Sequence, residues 1–312
     1  LACDLPMPDG TRRSVILSRA ALPAAQADSA YLGATIGRYA NRIAHARIGL
    51  GERRWALVPN PGSRHQLHGG LHGFHTRAWQ VEAADERAVR FSLVSADGDE
   101  GYPGELQVQI AYRLLDPMTI EMEASATVSA PSPVCLTNHA YFNLDGSAGD
   151  ARAHRLRIAA SRFLPVDAEL IPIGALNEVA DTGFDFRDAK TLQRDWLRDP
   201  QQHLAGGFDH AFLLDPACAG MNAPAAVLES SDGALSMEIR TTLPALQLYG
   251  GQYLEGFGAP CPGIALEPQF LPDSPNHPEW PQPTCWLHPG QQYRHTIRYR
   301  FSPARSGAPA PA

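Results

Sequence analysis

Two adjacent stretches in the middle of the chain alternate with a strict period of two, and they restrict the fold more than any other feature. Leu106, Val108, Ile110, Tyr112 and Leu114 are interleaved with Gln107, Gln109, Ala111 and Arg113. After Asp116-Pro117, Ile120, Met122, Ala124, Ala126 and Val128 are interleaved with Glu121, Glu123, Ser125 and Thr127. Strand side chains point alternately to two faces, so each run sets an apolar row against a core and a polar row outward. Two such runs joined by a turn read as an antiparallel pair. Val89–Val94 precedes them with the same signal, and Leu235–Arg240, Ala245–Tyr249 and Tyr293–Phe301 repeat it later. Helical signal is thin; its best instance is Asp188–Leu197, with Asp188 as N-cap and Pro200 just beyond the end. Strands without intervening helices point to an antiparallel all-β architecture. The 27 glycines and 27 prolines, spread throughout, fit many short elements joined by turns.

A chain of 312 residues buries a large core without disulfide staples. We read residues 1–301 as a single domain and the Pro-, Ala- and Gly-rich stretch 302–312 as a disordered tail. The net charge of −7 argues against nucleic acid and anionic membranes as partners and suits a neutral substrate. Five cysteines, at 3, 135, 218, 261 and 285, lack CxxC spacing. They indicate neither a disulfide framework nor a zinc site, and a reducing, cytoplasmic setting is the expectation. There is no run of about 18 apolar residues, hence no expected membrane helix. No signal peptide is visible, although a start at Leu1 rather than Met leaves room for processing.

Chemistry concentrates in a few stretches. Val134–Gly146 reads as one strand closed by an Asp145-Gly146 turn. Thr137, His139, Tyr141 and Asn143 share one face, and Leu136, Ala140, Phe142 and Leu144 share the other. His139 exchanges protons near neutral pH, if that face is more than a solvated surface. Leu32–Ile43 supplies Arg38, Asn41 and Arg42, either an ordinary arginine-bearing loop or a hydrogen-bonding rim. Asn60–Trp79 carries histidines at 65, 68, 72 and 75. Gly69, Gly70 and Gly73 make a helical metal site implausible and instead allow the backbone close to a ligand, with His68 in contact. Asp209, after Gly206-Gly207, is either a solvated turn residue or a carboxylate placed for vicinal hydroxyls. In Gly263–Phe270, Gly263, Ala265, Glu267 and Gln269 share a face. A lone Glu among small neighbours leaves room for a ligand over its carboxylate, and Pro268 holds its backbone extended.

Together and in this order these stretches resemble the aldose 1-epimerase, or galactose mutarotase, family. The resemblance rests on G-R-Y-A-N-R-I at 37–43, L-H-G-G at 67–70, G-Y-P-G at 101–104 and N-H-x-Y-F-N-L at 138–144. F-D-H at 208–210 and A-L-E-P-Q-F-L-P-D-S-P-N-H-P at 265–278 complete it. It spans about Tyr31 to Phe301. It implies a large antiparallel β-sandwich with a sugar cleft on one sheet, and interconversion of the α and β anomers of an aldohexose such as galactose or glucose. It implies Glu267 as general base and His139 as general acid. It implies sugar contacts from Asn41, Arg42, His68, Asp209 and, on a looser local match, Gln247. No cofactor and no metal are implied, and the only partner is a small-molecule monosaccharide; a monomer or homodimer is expected. Two departures stand out. The family begins with roughly two dozen further residues, so that Leu1–Gly10 corresponds to a second strand, and Pro268 replaces what is more often a small polar residue.

Mutarotation opens a hemiacetal and recloses it. A carboxylate and a histidine on opposite sides of the ring can take the anomeric proton and protonate the ring oxygen, each transfer being worth about 10²–10⁴ in rate. Neither GxGxxG nor a P-loop is present, in keeping with chemistry that needs no nucleotide. Three alternatives remain at this stage. A hexose 6-phosphate epimerase would need extra cations, for which Arg38, Arg64 and Arg77 are candidates. A non-catalytic sugar-binding module would not need an acid–base pair. A glycoside hydrolase would need two carboxylates flanking the bond.

Overall fold

The computed structural model describes residues 2–18, 30–146 and 149–303. The two period-two runs form its longest hairpin. Leu106–Asp116 pairs with Thr119–Val128 in antiparallel register, from Leu106 opposite Val128 to Asp116 opposite Thr119. Around it a nine-stranded antiparallel sheet assembles. Ala88–Ser95 and Gln80–Ala84 lie on one side, and Tyr293–Pro303, Leu235–Thr241, Ala226–Glu229, Arg155–Ile158 and Lys190–Thr191 on the other.

A second sheet has six strands, in the order Tyr141–Phe142, Ile264–Gln269, Ala245–Tyr249, Asp209–Leu213, Arg162–Phe163 and Asn177–Glu178. Its inner residues, among them Phe212, Leu246, Leu248, Ile264 and Leu266, join Met122, Met237, Ile239, Ile297 and Phe301 of the large sheet in one buried cluster. The chain is therefore the expected all-β sandwich. The outer face of the six-stranded sheet positions the site. Two small apolar clusters cover that face, one around Tyr141 and Ala265 and one around Ala211 and Ala245. Asp209 lies in the cross-strand row of Ala265, and Gln247 and Glu267 in the row of Ala211.

Three expectations are corrected. Asp188–Leu197 is not a helix. Lys190–Thr191 is an edge strand beside Arg155–Leu156, and Leu192–Asp195 is a single 3₁₀ turn. Among the described residues the α-helix is Pro200–Ala205, with Asp199 capping the Gln201 N–H and Gly206 ending it in the left-handed region at φ 66°. Pro200, read as a terminator, is the first helical residue, where a missing N–H costs nothing. Val134–Gly146 is not one strand either. Thr137–His139 pairs with Ala34–Ile36, whereas Tyr141–Phe142 pairs with Ile264–Ala265. Its polar face is no solvated surface, for Thr137, His139 and Asn143 are all buried. Finally, the last strand runs to Pro303, so Ser302 and Pro303 belong to the sheet; residues 304–312 lie outside the described residues. Pro268 sits beyond the reach of Tyr141–Phe142, opposite Leu246 only, where its missing N–H leaves no ladder bond broken on the other side.

Candidate active site

Register brings the polar residues together. Asp209 lies opposite Tyr249, Ala211 opposite Gln247, and Gln247 opposite Glu267. Residues paired across strands share a face, so three strands contribute Asp209, Tyr249, Gln247 and Glu267 to one surface. The kinked segment through His139 and Tyr141 adds their rings, and the loops carrying Tyr31, Asn41–Arg42 and His68 close the opposite wall. The result is a cleft of about 410 Å³ lined by Tyr31, Asn41, Arg42, His68, His139, Tyr141, Asp209, Tyr249 and Glu267, with Tyr253, Glu255 and a few apolar side chains completing it. That volume suits a small polar molecule.

Glu267 is 2% exposed, and its Oε2 has no hydrogen-bond partner among the described residues. Burial, reinforced by the Asp209 charge and opposed by Arg42, holds its pKa well above the usual carboxylate range. His139 is 4% exposed. Burial pulls its pKa down to about 4, so the ring is neutral near pH 7. His139 Nε2 stands 3.6 Å from Glu267 Oε1, adjacent but too far for a hydrogen bond. The two groups therefore lie side by side, not on opposite sides of a ring-sized gap as expected. Tyr31 stacks on His139 with ring centres 5.8 Å apart, and Tyr141 approaches to 4.9 Å.

The donors and acceptors around this pair are preset. His68 Nδ1 accepts the Asn41 N–H at 3.2 Å, and the Asn41 carbonyl accepts the His68 N–H. Burial holds His68 neutral, so its proton sits on Nε2, available for donation. Asn41 and His68 both adopt left-handed backbone, at φ 69° and 55°. Asn41 Oδ1 takes the Arg42 N–H, the local bond that makes Asn tolerable there. Asp209 Oδ1 accepts from Gln247 Nε2 at 2.6 Å, and Arg42 Nη1 lies 3.6 Å from Asp209 Oδ2. Gln247 does not line the main cleft; it sits one layer back, behind Asp209, beside a small void shared with Asn41 and Arg42.

Other expectations give way. Arg38 is no rim residue. Its guanidinium is buried and donates to the carbonyls of Pro103, Gly104, Ser95 and Ala96 and to Ser95 Oγ. The glycines after His68 make room for protein rather than ligand. A Cβ on Gly69 would meet the Gly37 carbonyl at 2.1 Å, and one on Gly70 would meet the Glu100 carboxylate. Likewise the space over Gly263 holds Leu17 and Tyr141. The four histidines disperse: His65 takes the His45 N–H, His72 is exposed, His75 packs on Tyr31, and only His68 lines the cleft. Sequence reasoning missed Tyr31, Tyr249, Tyr253, Leu170 and Glu255 in the lining. Alternation along Ala245–Tyr249 would have placed Tyr249 there; the others come from loops with no periodic signal.

The sequence profile of the family described as Aldose 1-epimerase matches residues 1–300. An aldose 1-epimerase of Escherichia coli (strain K12) is 46% identical over 308 residues, covering 96% of this chain and 88% of that protein. A galactose mutarotase of Mus musculus is 39% identical over 306 residues, covering 95% and 86%. Among solved structures, an aldose epimerase homologue from C. elegans superposes with a TM-score of 0.85 at 29% identity, covering 97% of this chain and 92% of that one.

Proposed function

The chain belongs to the aldose 1-epimerase family, and from that premise we propose that its cleft interconverts the α and β anomers of an aldohexose by acid–base ring opening and closure. The observation that carries this reading is the buried Glu267–His139 pair, two proton-exchanging groups 3.6 Å apart on the cleft wall.

The anomeric oxygen and the ring oxygen are bonded to the same carbon. Two adjacent protein groups can therefore serve both, and a pair on opposite sides of the ring is unnecessary. In opening, Glu267 as carboxylate takes the anomeric proton while the His139 imidazolium protonates the ring oxygen. The C1–O5 bond breaks and an aldehyde forms. The pair then holds its proton on Glu267, with His139 neutral, which is the form that burial favours. Rotation about C1–C2 turns the other face of the aldehyde to the chain hydroxyl. In closure, His139 removes the proton of that hydroxyl and Glu267 returns its own to the former carbonyl oxygen. One proton thus shuttles within the pair, and no net proton is exchanged with solvent. Sugar hydroxyls that hydrogen-bond the carboxylate favour the ionised form needed for opening. The His68 Nε2–H, Asn41, Arg42 and Asp209 supply donors and acceptors for the remaining hydroxyls, Gln247 steadies Asp209, and Arg42 stabilises charge developing on the opening sugar.

Cation placement disfavours a phosphorylated substrate. Arg38 is enclosed by carbonyls, Arg77 pairs with Asp99 at 2.8 Å, and Arg64 pairs with Glu169. Among the described lining residues only Arg42 is a permanent cation, and it faces Asp209. A hydrolase is disfavoured because, of the other two carboxylates in the lining, Asp209 accepts from Gln247 and faces Arg42, and Glu255 is exposed to solvent. No helix among the described residues is long and apolar enough to cross a membrane. All five cysteines are unpaired, which supports a reducing compartment such as the cytoplasm.

Polarimetry of freshly dissolved α-D-galactose, α-D-glucose and glucose 6-phosphate, each corrected for spontaneous mutarotation, tests the reading. The neutral sugars should equilibrate faster with protein present, with kcat/KM at least about tenfold above that for the phosphate. Decay no faster than in buffer would leave a binding module, and preference for the phosphate would reverse the substrate assignment.

A further inference from the structure

Asp273 lies in the L-P-D-S-P-N-H-P run, six residues past Glu267, and the acid–base reading makes no use of it. It is 2% exposed and sits in the left-handed region at φ 60°, which Asp and Asn tolerate better than other side chains. Its N–H donates to the Arg42 carbonyl at 2.8 Å. Its Oδ1 accepts from the Ala44 N–H at 3.1 Å and from Asn276 Nδ2 at 2.7 Å, and its Oδ2 lies 3.3 Å from His277 Nε2. Asp273 thus grips the chain on both sides of Ile43, at Arg42 and at Ala44. The grip matters because Arg42 and Ile43 belong to a pairing only two residues long, opposite Gln66–Leu67, too short to hold itself.

We propose that Asp273 is the positioning residue that fixes Arg42 at the cleft and through it sets the affinity for the sugar. The proposal rests on the reading that Arg42 contacts substrate. Asp273 leaves the strand that carries Glu267 and ties down the loop that carries Arg42, so proton transfer and hydroxyl recognition are held in one frame. A displacement near 1 Å at such a contact is enough for a large loss.

The test is a mutant cycle. Asp273→Ala, Asp273→Asn and Asp273→Gly are made in the parent and in Arg42→Ala. KM and kcat for α-D-galactose are read by polarimetry, and Tm by calorimetry. Asp273→Ala should raise KM about tenfold, with a smaller change in kcat. Asp273→Asn keeps an acceptor for Ala44 and tolerates φ 60°, and should recover most of the affinity. Asp273→Gly tolerates the backbone but has no acceptor, and should not recover it. In Arg42→Ala, none of the three should raise KM further, although Tm still falls. A parental KM in both Asp273→Ala and Asp273→Gly, or KM effects that multiply with Arg42→Ala, would overturn the proposal. A parental KM in Arg42→Ala itself would instead overturn Arg42 as a sugar contact.

Discussion

Glu267 is a residue whose chemistry and whose contribution to stability oppose each other. Replacing it with Gln keeps its size and removes the proton acceptor. The rate of anomer interconversion should fall by about 10²–10⁴ while calorimetric galactose binding survives. His139→Asn should lose a similar factor, and the double variant much less than the product, since the two groups act as a unit. Near-parental polarimetric turnover in Glu267→Gln would remove Glu267 as the base. The same substitution has a second consequence. The folded-state pKa of Glu267 lies above its ordinary value of 4.5. As pH rises past 4.5, the unfolded chain releases a proton that the folded chain retains, so folding loses stability with rising pH. Gln carries no such penalty. Glu267→Gln should therefore raise Tm over the parent at pH 8 and show no gain at pH 4. A gain of equal size at both pH values would mean that ionisation is not the cause.

At the scale of elements, Arg38 joins segments that the hydrophobic pattern leaves unconnected. It bonds the Ser95–Ala96 strand end and the Pro103–Gly104 turn, and so ties the G-R-Y stretch to the G-Y-P-G stretch. Arg38→Met would leave several buried carbonyls without donors, at about 1–3 kcal/mol each. We expect a loss of at least about 3 kcal/mol in urea unfolding. Arg38→Lys should recover little, because an ammonium cannot reproduce the planar fork. A midpoint for Arg38→Lys equal to the parent's would show that charge alone suffices. The misread helix belongs to this scale too. Asp188–Leu197 has acceptable helix composition, yet Lys190 is drawn into an edge strand and its ammonium bonds buried Asp195 at 2.6 Å. Tertiary pairing overrode a weak local preference.

For the molecule as a whole, buried neutral histidines set the response to acid. His139 and His295 are depressed by burial to about 4 and His210 to about 3, His68 lies well below its ordinary value, and His154 is lowered too. Below pH 6.5 the unfolded chain binds protons at these five positions that the folded chain refuses. Their stability contribution is complete above 6.5 and declines as pH falls toward each folded value. Each removes about 1.4 kcal/mol per pH unit over that range. Unfolding free energy from urea titrations should thus drop between pH 6.5 and 4.5, with Glu267, whose folded state keeps its proton, offsetting part of the loss. His210→Phe, which keeps an aromatic ring against Phe163 and Phe184, should flatten the slope by about one proton's worth. An unchanged slope in that variant would place the acid sensitivity elsewhere.

Period-two alternation by itself determined the central hairpin, the strands at 89–94, 235–240, 245–249 and 293–301, their antiparallel class and the face on which Ala265, Glu267 and Gln269 lie, because strand periodicity is a local geometric property. Six short motifs in order also determined the family, and with it the expected roles of His139 and Glu267. Only the tertiary structure decided which of the polar residues share the cleft. Arg38 and Arg42 stand four positions apart in one motif, yet one is enclosed by carbonyls and the other lines the cleft. Gly69 and Gly263 face protein rather than ligand. Tyr31 and Glu255 reach the cleft from loops. The physical reason is that register and loop closure bring together residues more than a hundred positions apart, and no local pattern encodes what a side chain meets there.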